Sequence, residues 1–176
     1  MEPKKQTIEL AGKTLTLETG VMAKQSAGSV TITYGDTVVL CAVNAEAEPR
    51  VGLNFFPLSV EYRERFYAAG KIPGGYFKRE GRPAEKEILA ARLTDRPIRP
   101  LFPDEFRCET QVMINLLSTD QETPADILGT IGTSVAIMLS DIPWKGPVAA
   151  VRLGYMDGKP VVNPTFQQIE ESKLDL

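Results

Sequence analysis

The chain has 176 residues, of which 43% are hydrophobic and 24% are charged, and its net charge is −3. This length suits one domain of ordinary size or part of a larger protein, and the apolar share can fill a core. The absence of histidine excludes Ser-His-Asp and Cys-His nucleophilic schemes and the commonest metal ligand.

Alternation of polar and apolar residues predicts β-strands in the first third of the chain. The first two form a hairpin around Gly12, and Thr37–Ala45 has the near-continuous apolar character of a central strand. Pro57 places the fifth strand at an edge or a bulge, because proline cannot donate to a ladder. The predicted strands are 7–10, 13–18, 29–34, 37–45 and 55–62.

Residues 66–81 contain four glycines and Pro73, which is too many breakers for a regular element. We expect an exposed, mobile loop there. A helix follows, with Pro83 at its first position and an end near Asp95 or Arg96, because a residue before proline is pushed out of the α region. Its apolar residues cover most of its circumference and predict a buried helix; they are Ile88, Leu89, Ala90, Ala91 and Leu93.

The second half of the chain predicts a strand over 109–119 and a helix from Thr123, its expected N-cap, to about Asp141. Small residues along this helix, at 129, 132 and 136, would let another element approach closely. Asp157-Gly158 marks the turn of a hairpin formed by 148–155 and 160–162. This order of elements predicts an α+β fold, with mixed β-sheet packed against α-helices.

Half of the positive charge lies in one window. Residues 63–99 hold ten of the 20 Lys and Arg against five acids, so the window is +5 and the rest of the chain is −8. Four aromatic residues lie among these charges: Phe66, Tyr67, Tyr76 and Phe77. Cations that bind phosphates and flat rings that stack on bases are what a single-stranded nucleic acid requires. The window therefore indicates a protein of RNA or nucleotide chemistry.

Within this window, Tyr76, Phe77, Lys78 and Arg79 place two rings beside two cations, so that four residues could hold one nucleotide step. The alternative is a surface loop whose rings fold back onto the body and whose cations are merely solvated. Both interpretations remain open from the residues alone.

Arg92, Arg96 and Arg99 fall at i, i+4 and i+7, so an unbroken helix would align them on one face. They form either a phosphate-binding row or a set of structural ion pairs, since both need a planar and permanently charged group. The glycines of 129–134 resemble a phosphate loop but lack its lysine, and close helix packing is the expected role. No carboxylate pattern typical of a metal site occurs, and no catalytic residue is assigned.

Several motifs resemble the polynucleotide phosphorylase family, in its first ribonuclease PH-like domain. The resemblance covers nearly the whole chain and is carried by Tyr67-Ala68-Ala69-Gly70, Ile72-Pro73-Gly74, Arg79-Glu80-Gly81-Arg82-Pro83 and the run Asp95 to Pro103, with Gly35 to Leu40, Phe55 to Leu58 and Asp141-Ile142-Pro143. It implies that residues 1–176 form that domain, with the remainder of the domain and the second catalytic domain lying outside the chain.

The resemblance also implies an activity. Members of the family are 3′-to-5′ exoribonucleases that use inorganic phosphate as co-substrate, release nucleoside diphosphates and require Mg²⁺ bound by the second core domain. They form homotrimeric rings that thread single-stranded RNA and can join RNA-degradation complexes. A cytoplasmic protein without a membrane partner is expected, and Cys41 and Cys108, which lack a C-x-x-C spacing, are expected to be reduced and buried.

Site residues follow from the same resemblance. The family's Phe-Phe-Arg-Arg channel motif corresponds to Tyr76–Arg79, where Lys78 keeps the charge but not the planar fork. The predicted RNA-binding set is Tyr76, Phe77, Lys78, Arg79 and Arg82, with Arg92, Arg96 and Arg99 as secondary phosphate contacts or structural pairs.

The catalytic D-x5-D-x-K pattern of the family is broken here. It places Ile169 at the first aspartate and Asp175 at the second, and its lysine lies past Leu176. We therefore expect this chain alone to be inactive. Two alternatives remain: a self-sufficient enzyme of ribonuclease PH type, and a purely structural ring domain that does not contact RNA.

Overall fold

The fold is organised around one mixed β-sheet. The computed structural model describes residues 2–50 and 52–176. Its sheet consists of β1 (Lys4–Leu10), β2 (Lys13–Thr19), β3 (Gly28–Tyr34), β4 (Thr37–Ala45), β5 (Leu58–Glu64) and β6 (Thr110–Ser118). Their order across the sheet is β1-β2-β3-β4-β6-β5, and every neighbouring pair is antiparallel except β5 and β6.

The strand predictions are confirmed, with small shifts at their ends. Leu10 pairs with Lys13 across the turn Ala11-Gly12, whose φ angles of 49° and 78° suit the tight connection of two twisted strands. The fifth strand starts at Leu58 instead of Phe55, so Pro57 lies just outside it. β5 is an edge strand, as the proline predicted.

The connection from β5 to β6 contains the helix α1 (Glu85–Ile98). Its predicted limits are wrong at both ends: Ala84 is the N-cap, so Pro83 lies outside, and the helix continues through Pro97 to Ile98. Pro97 lies in the last turn of the helix, where it removes one amide donor. The Ile98 carbonyl at the end of the helix accepts a hydrogen bond from the indole N–H of Trp144 at 3.0 Å. A 3-10 turn, Phe66–Ala69, also interrupts the segment predicted to be wholly irregular.

The prediction that α1 is buried all round is wrong. Ala90, Thr94 and Ile98 face the protein and are buried, whereas Ile88, Leu89 and Leu93 are each about half exposed. An α-helix packed against a sheet buries only the stripe that faces it, so the apolar residues on its other side stay in solvent. One side of α1 is therefore an uncovered apolar surface.

The second long helix, α2 (Asp126–Leu139), packs on β3 and β4 as its small residues predicted. A Cβ atom added at Gly132 would overlap the Cys41 sulfur and lie 3.0 Å from Cδ1 of Ile32. At Gly129 it would lie 2.9 Å from Cγ2 of Ile114. These contacts leave no room for a side chain, so the two glycines set the distance between helix and sheet. The Cys41 thiol is buried there, and burial raises its pKa to about 12. Cys108, predicted to be buried, is only half-buried.

The C-terminal part adds β7 (Leu153–Met156), β8 (Lys159–Val162) and α3 (Phe166–Glu171). The predicted hairpin turn at Asp157-Gly158 is confirmed. The first strand is shorter than the predicted 148–155, whereas the second begins one residue before the predicted 160. The sequence analysis did not predict α3, although Thr165 and Gln168 form a capping box that the T-x-x-Q spacing indicates.

A partly buried carboxylate joins the start of β4 to the turn before α2. Asp120 Oδ1 accepts hydrogen bonds from the amides of Glu122 and Thr123 at 2.9 and 2.7 Å. The hydroxyls of Thr37 and Thr123 donate to Asp120 as well, and Lys13 Nζ lies 3.7 Å away. Thr123, predicted as the N-cap of α2, instead serves this network, and Ala125 is the N-cap.

The network predicts an acid-sensitive fold. Burial alone would raise the pKa of Asp120, but its four hydrogen bonds, those of Thr123 foremost, lower it from the ordinary 3.8 to about 2. A lowered native pKa stabilises the fold above pH 4, and this stabilisation is lost as the pH falls towards 2. We expect Asp120→Asn to reduce the free energy of unfolding at pH 7 by about 2 kcal/mol and to flatten its pH dependence between pH 4 and 2.

Urea denaturation at several pH values measures both effects. The matched control is Asp36→Asn, because Asp36 is exposed and has no hydrogen bond or ion pair within the described residues. An unchanged pH dependence in Asp120→Asn would contradict the assignment.

Candidate nucleic-acid interface

A loop formed by residues 65–83 connects the edge strand β5 to α1 and is fixed at both ends. Arg63 Nη2 donates to the Gly81 carbonyl at 3.1 Å, and the amide of Phe66 donates to the Glu80 carboxylate at 3.1 Å. The Lys71 amide closes the 3-10 turn by donating to the Phe66 carbonyl. Only the middle of the loop, 72–79, lies beyond these bonds.

The two rings at the tip of this loop extend into solvent. Tyr76 is 93% exposed and Phe77 is 79% exposed. Their centroids lie 5.3 Å apart at an interplanar angle of 85°, so the rings pack edge to face against each other. Large exposed rings are costly to solvate, and their flat faces remain available to a stacking partner.

The cations of the loop are unpaired. Lys78, Arg79 and Arg82 are exposed, and within the described residues none has a hydrogen bond or ion pair. Gly75 and Lys78 adopt φ angles of 77° and 49°, a left-handed conformation that is rare for a residue such as lysine. The chain thus reverses sharply at the point where rings and cations adjoin.

The three arginines of α1 and its end do not act alike. Arg99 binds the Asp95 carboxylate through two nitrogens, at 3.0 and 2.6 Å, and also donates to the carbonyls of Phe56 and Leu58. It ties α1 to the start of β5. Arg92 and Arg96 are exposed, and within the described residues their side chains have no hydrogen bond or ion pair. The structural interpretation of the row therefore applies to Arg99, and phosphate binding by Arg92 and Arg96 stays a prediction.

Two of the clefts that adjoin these residues border β5 or the loop, and a further one, of about 910 Å³, is lined by Arg92, Arg96 and Arg99. One of about 390 Å³ lies between β5 and α1 and is lined by Tyr62, Ile88 and Arg92 among others. The second, of about 530 Å³, lies under the loop and is lined by Arg63, Phe66, Arg79, Arg82 and Lys86 together with acidic residues. The second cleft joins the unpaired cations to the ring of Phe66, which is a suitable environment for an anionic ligand.

Sequence reasoning missed the residue that closes the base of the loop. Glu87 is buried and accepts backbone amides from both sides of the loop. Its position three residues after the N-cap Ala84 was the available signal, because a glutamate there folds back onto the N-cap amide.

The side chains that the structure describes do not fit a magnesium site. Arg152 binds both oxygens of Asp175, at 2.6 and 2.8 Å, and this hydrogen bonding lowers the pKa of the Asp175 carboxyl. Ile169, at the position of the other expected aspartate, offers no oxygen ligand. Over residues 2–50 and 52–176, no three His, Cys, Asp or Glu side chains come together in a group that could hold a metal ion.

Comparison with known proteins gives consistent results. Residues 11–143 match the family model of the 3′ exoribonuclease family, domain 1, and residues 146–176 match that of domain 2. The polyribonucleotide nucleotidyltransferases of Thermus thermophilus and Thermomicrobium roseum are 59% and 58% identical over 96% and 97% of this chain. The chain spans only about a quarter of these relatives, 24% and 22% of their lengths.

The fold also occurs in a solved structure. Rrp46 from rice superimposes with a TM-score of 0.65 at 16% identity, over 98% of this chain and 72% of that one. This likeness confirms the α+β fold of ribonuclease PH type. Within the described residues, no helix combines the length and apolarity needed to cross a bilayer.

The contrast between the arginines can be tested. We expect Arg99→Ala to lower the free energy of unfolding by about 1 kcal/mol, a modest loss because solvent screens part of its ion pair. Arg99→Lys should not restore it, since an ammonium group cannot reach two carboxylate oxygens and two carbonyls together. Arg96→Ala, an equal change of charge one helical turn away, should leave stability unchanged. Chemical denaturation of the three variants gives the comparison, and equal losses for Arg96 and Arg99 would contradict it.

Proposed function

The chain belongs to the 3′ exoribonuclease family, and we propose that residues 1–176 form part of the first ribonuclease PH-like core domain of a polyribonucleotide nucleotidyltransferase. In the full-length protein this domain binds and guides single-stranded RNA while the phosphorolytic cleavage takes place elsewhere. The proposed reaction is attack of inorganic phosphate on the 3′ end of the RNA, which releases nucleoside diphosphates.

One observation carries the RNA-binding role. The loop presents two exposed rings next to cations that form no ion pair with any described acid. Stacking of a base on an aromatic ring contributes about 1–3 kcal/mol and tolerates any sequence, and an arginine can bind a phosphate through two nitrogens. Tyr76, Phe77, Lys78, Arg79 and Arg82 therefore form the proposed primary contact. Arg92 and Arg96 are the proposed secondary phosphate contacts, whereas Arg99 holds the fold together.

The catalytic chemistry is assigned to another part of the full-length protein. Magnesium, where bound, would neutralise charge on the attacking and leaving oxygens. No residue of this chain is proposed to hold it, because Asp175 is engaged by Arg152 and Ile169 has no ligand atom. The same division of labour makes this chain inactive on its own. Cytoplasmic degradation of messenger RNA, alone or in a degradation complex, is the proposed setting.

Removing the loop cations tests the RNA-binding role. In the full-length protein, Lys78→Ala with Arg79→Ala should weaken binding of a short single-stranded oligonucleotide, because two phosphate contacts are lost. The slope of log K against log salt should become shallower by about 1.4, which is 0.7 for each lost phosphate contact with a single strand. Fluorescence anisotropy over a salt titration measures both quantities.

The matched control is Lys4→Ala with Lys5→Ala. It removes the same charge from β1, which lies at the opposite edge of the sheet, and both lysines are exposed. Unchanged affinity and slope in the loop variant, or equal effects in the two variants, would refute the proposal.

The uncovered side of α1 supports the ring-forming part of the proposal. Ile88, Leu89 and Leu93 form a half-exposed apolar strip, and strips of this kind on a stable domain are usually buried by another domain or subunit. We propose that this strip is covered within a homotrimeric ring of the full-length protein.

A polar substitution tests the strip. Leu89→Gln with Leu93→Gln should shift the full-length protein towards smaller species in sedimentation velocity, since burying two amides without partners opposes association. Ile8→Gln is the control, because Ile8 is 49% exposed at the far edge of the sheet. A distribution identical to that of the unmodified protein would refute this part.

A further inference from the structure

Glu87 bonds to both ends of the loop formed by residues 65–83. Its Oε1 accepts the amide of Glu64 at 2.8 Å, at the end of β5, and its Oε2 accepts the amide of Ala84 at 2.6 Å, where α1 begins. The residue is only 8% exposed. One buried carboxylate thus joins the residues immediately before and after the loop.

Arg63 extends this junction to the returning part of the loop. Its Nε lies 3.7 Å from Glu87 Oε1, and its Nη2 donates to the Gly81 carbonyl at 3.1 Å. The Glu87 carboxylate therefore accepts hydrogen bonds from two backbone amides. It also orients the Arg63 guanidinium, which donates to a third backbone group, the Gly81 carbonyl. Glu64, whose own amide is bound, pairs through its side chain with Lys86 at 3.1 Å.

This arrangement restricts the loop at its base. A flexible segment whose ends are held in place has fewer accessible conformations, and a buried amide left without an acceptor costs more than an ordinary hydrogen bond contributes. Loss of the carboxylate would leave these two part-buried amides without an acceptor and would release the guanidinium from its position. The rings and cations at the tip would then sample a wider range of directions.

We infer that Glu87 is a positioning residue for RNA binding, which sets the geometry of the loop that presents Tyr76, Phe77, Lys78 and Arg79. The inference rests on the proposed function and adds a residue that does not itself touch the RNA. Ordering of the loop before binding raises affinity, because the apparent affinity falls with the fraction of molecules that hold the competent conformation.

Charge and geometry make opposite predictions for this residue. Glu87 is an acid beside a cationic loop, so its removal would strengthen RNA binding if only the local potential mattered. If it positions the loop, its removal weakens binding. Glu87→Gln neutralises the side chain and leaves one acceptor oxygen. Glu87→Asp keeps the charge but is one methylene shorter, so its carboxylate cannot reach both amides.

The experiment measures affinity of the full-length protein for a short single-stranded oligonucleotide, over a salt titration. We expect both Glu87→Gln and Glu87→Asp to weaken binding by about fivefold at every salt concentration, with an unchanged salt slope, because the phosphate-binding cations remain. Hydrogen exchange at the amides of Glu64 and Ala84 should accelerate in both variants.

Thr130→Ala controls for general destabilisation. It removes the buried 3.0 Å hydrogen bond between Thr94 and Thr130, which joins α1 to α2 away from the loop. Its RNA affinity should remain that of the unmodified protein. If this control weakens binding as much as the Glu87 variants at an equal loss of stability, the inference is refuted.

The remaining outcomes are distinct from failure of the proposed function. Tighter binding by Glu87→Gln together with unchanged binding by Glu87→Asp would show that only charge matters and would overturn the inference. If the Glu87 variants behave in this way while the variant with Lys78→Ala and Arg79→Ala binds RNA more weakly, the inference fails but the proposed function is supported. An unaffected Lys78 and Arg79 variant would refute the proposed function, and the inference with it.

Discussion

The parallel pairing of β5 with β6 is the constraint on which the rest of the structure depends. Two parallel neighbours cannot be joined by a tight turn, so the chain must return along the sheet before β6 begins. The return segment contains the loop, α1 and the rings of Phe102 and Phe106, which stack with their centroids 5.9 Å apart. Because β5 is also an edge strand, the loop leaves the fold at the margin of the sheet.

The charge balance of this return segment follows from how its acids are used. Glu87 and Glu80 accept backbone amides, Asp95 binds Arg99, and Glu64 pairs with Lys86. These four carboxylates are occupied in holding the segment together. Within the described residues, the cations at the loop tip have no ion-pair partner, although the chain as a whole is acidic. The structural roles and the proposed binding role are thus divided among residues of the same window.

The sequence predicted the strands well, because alternation has a period that only a half-buried strand satisfies. It predicted α1 less well: the helix ends beyond Pro97, and its outer side is exposed. Apolar residues around a helix indicate that some of its faces are buried. They do not identify which of these faces are buried by other parts of the same chain. The arginine row illustrates the same limit, since the helical spacing placed Arg96 and Arg99 on the same face and only the positions of Asp95 and of the Phe56 and Leu58 carbonyls distinguished them.

The amino-acid sequence by itself determined the α+β fold, the basic window and the family, because periodicity, composition and motifs are properties of residue order. The tertiary structure alone decided which side chains are engaged and which are free. Glu87 shows the difference most directly: its neighbours in sequence indicate a helix start, while its second partner, the Glu64 amide, lies 23 residues earlier. Such contacts arise from the path of the chain through the sheet, and no local pattern encodes them.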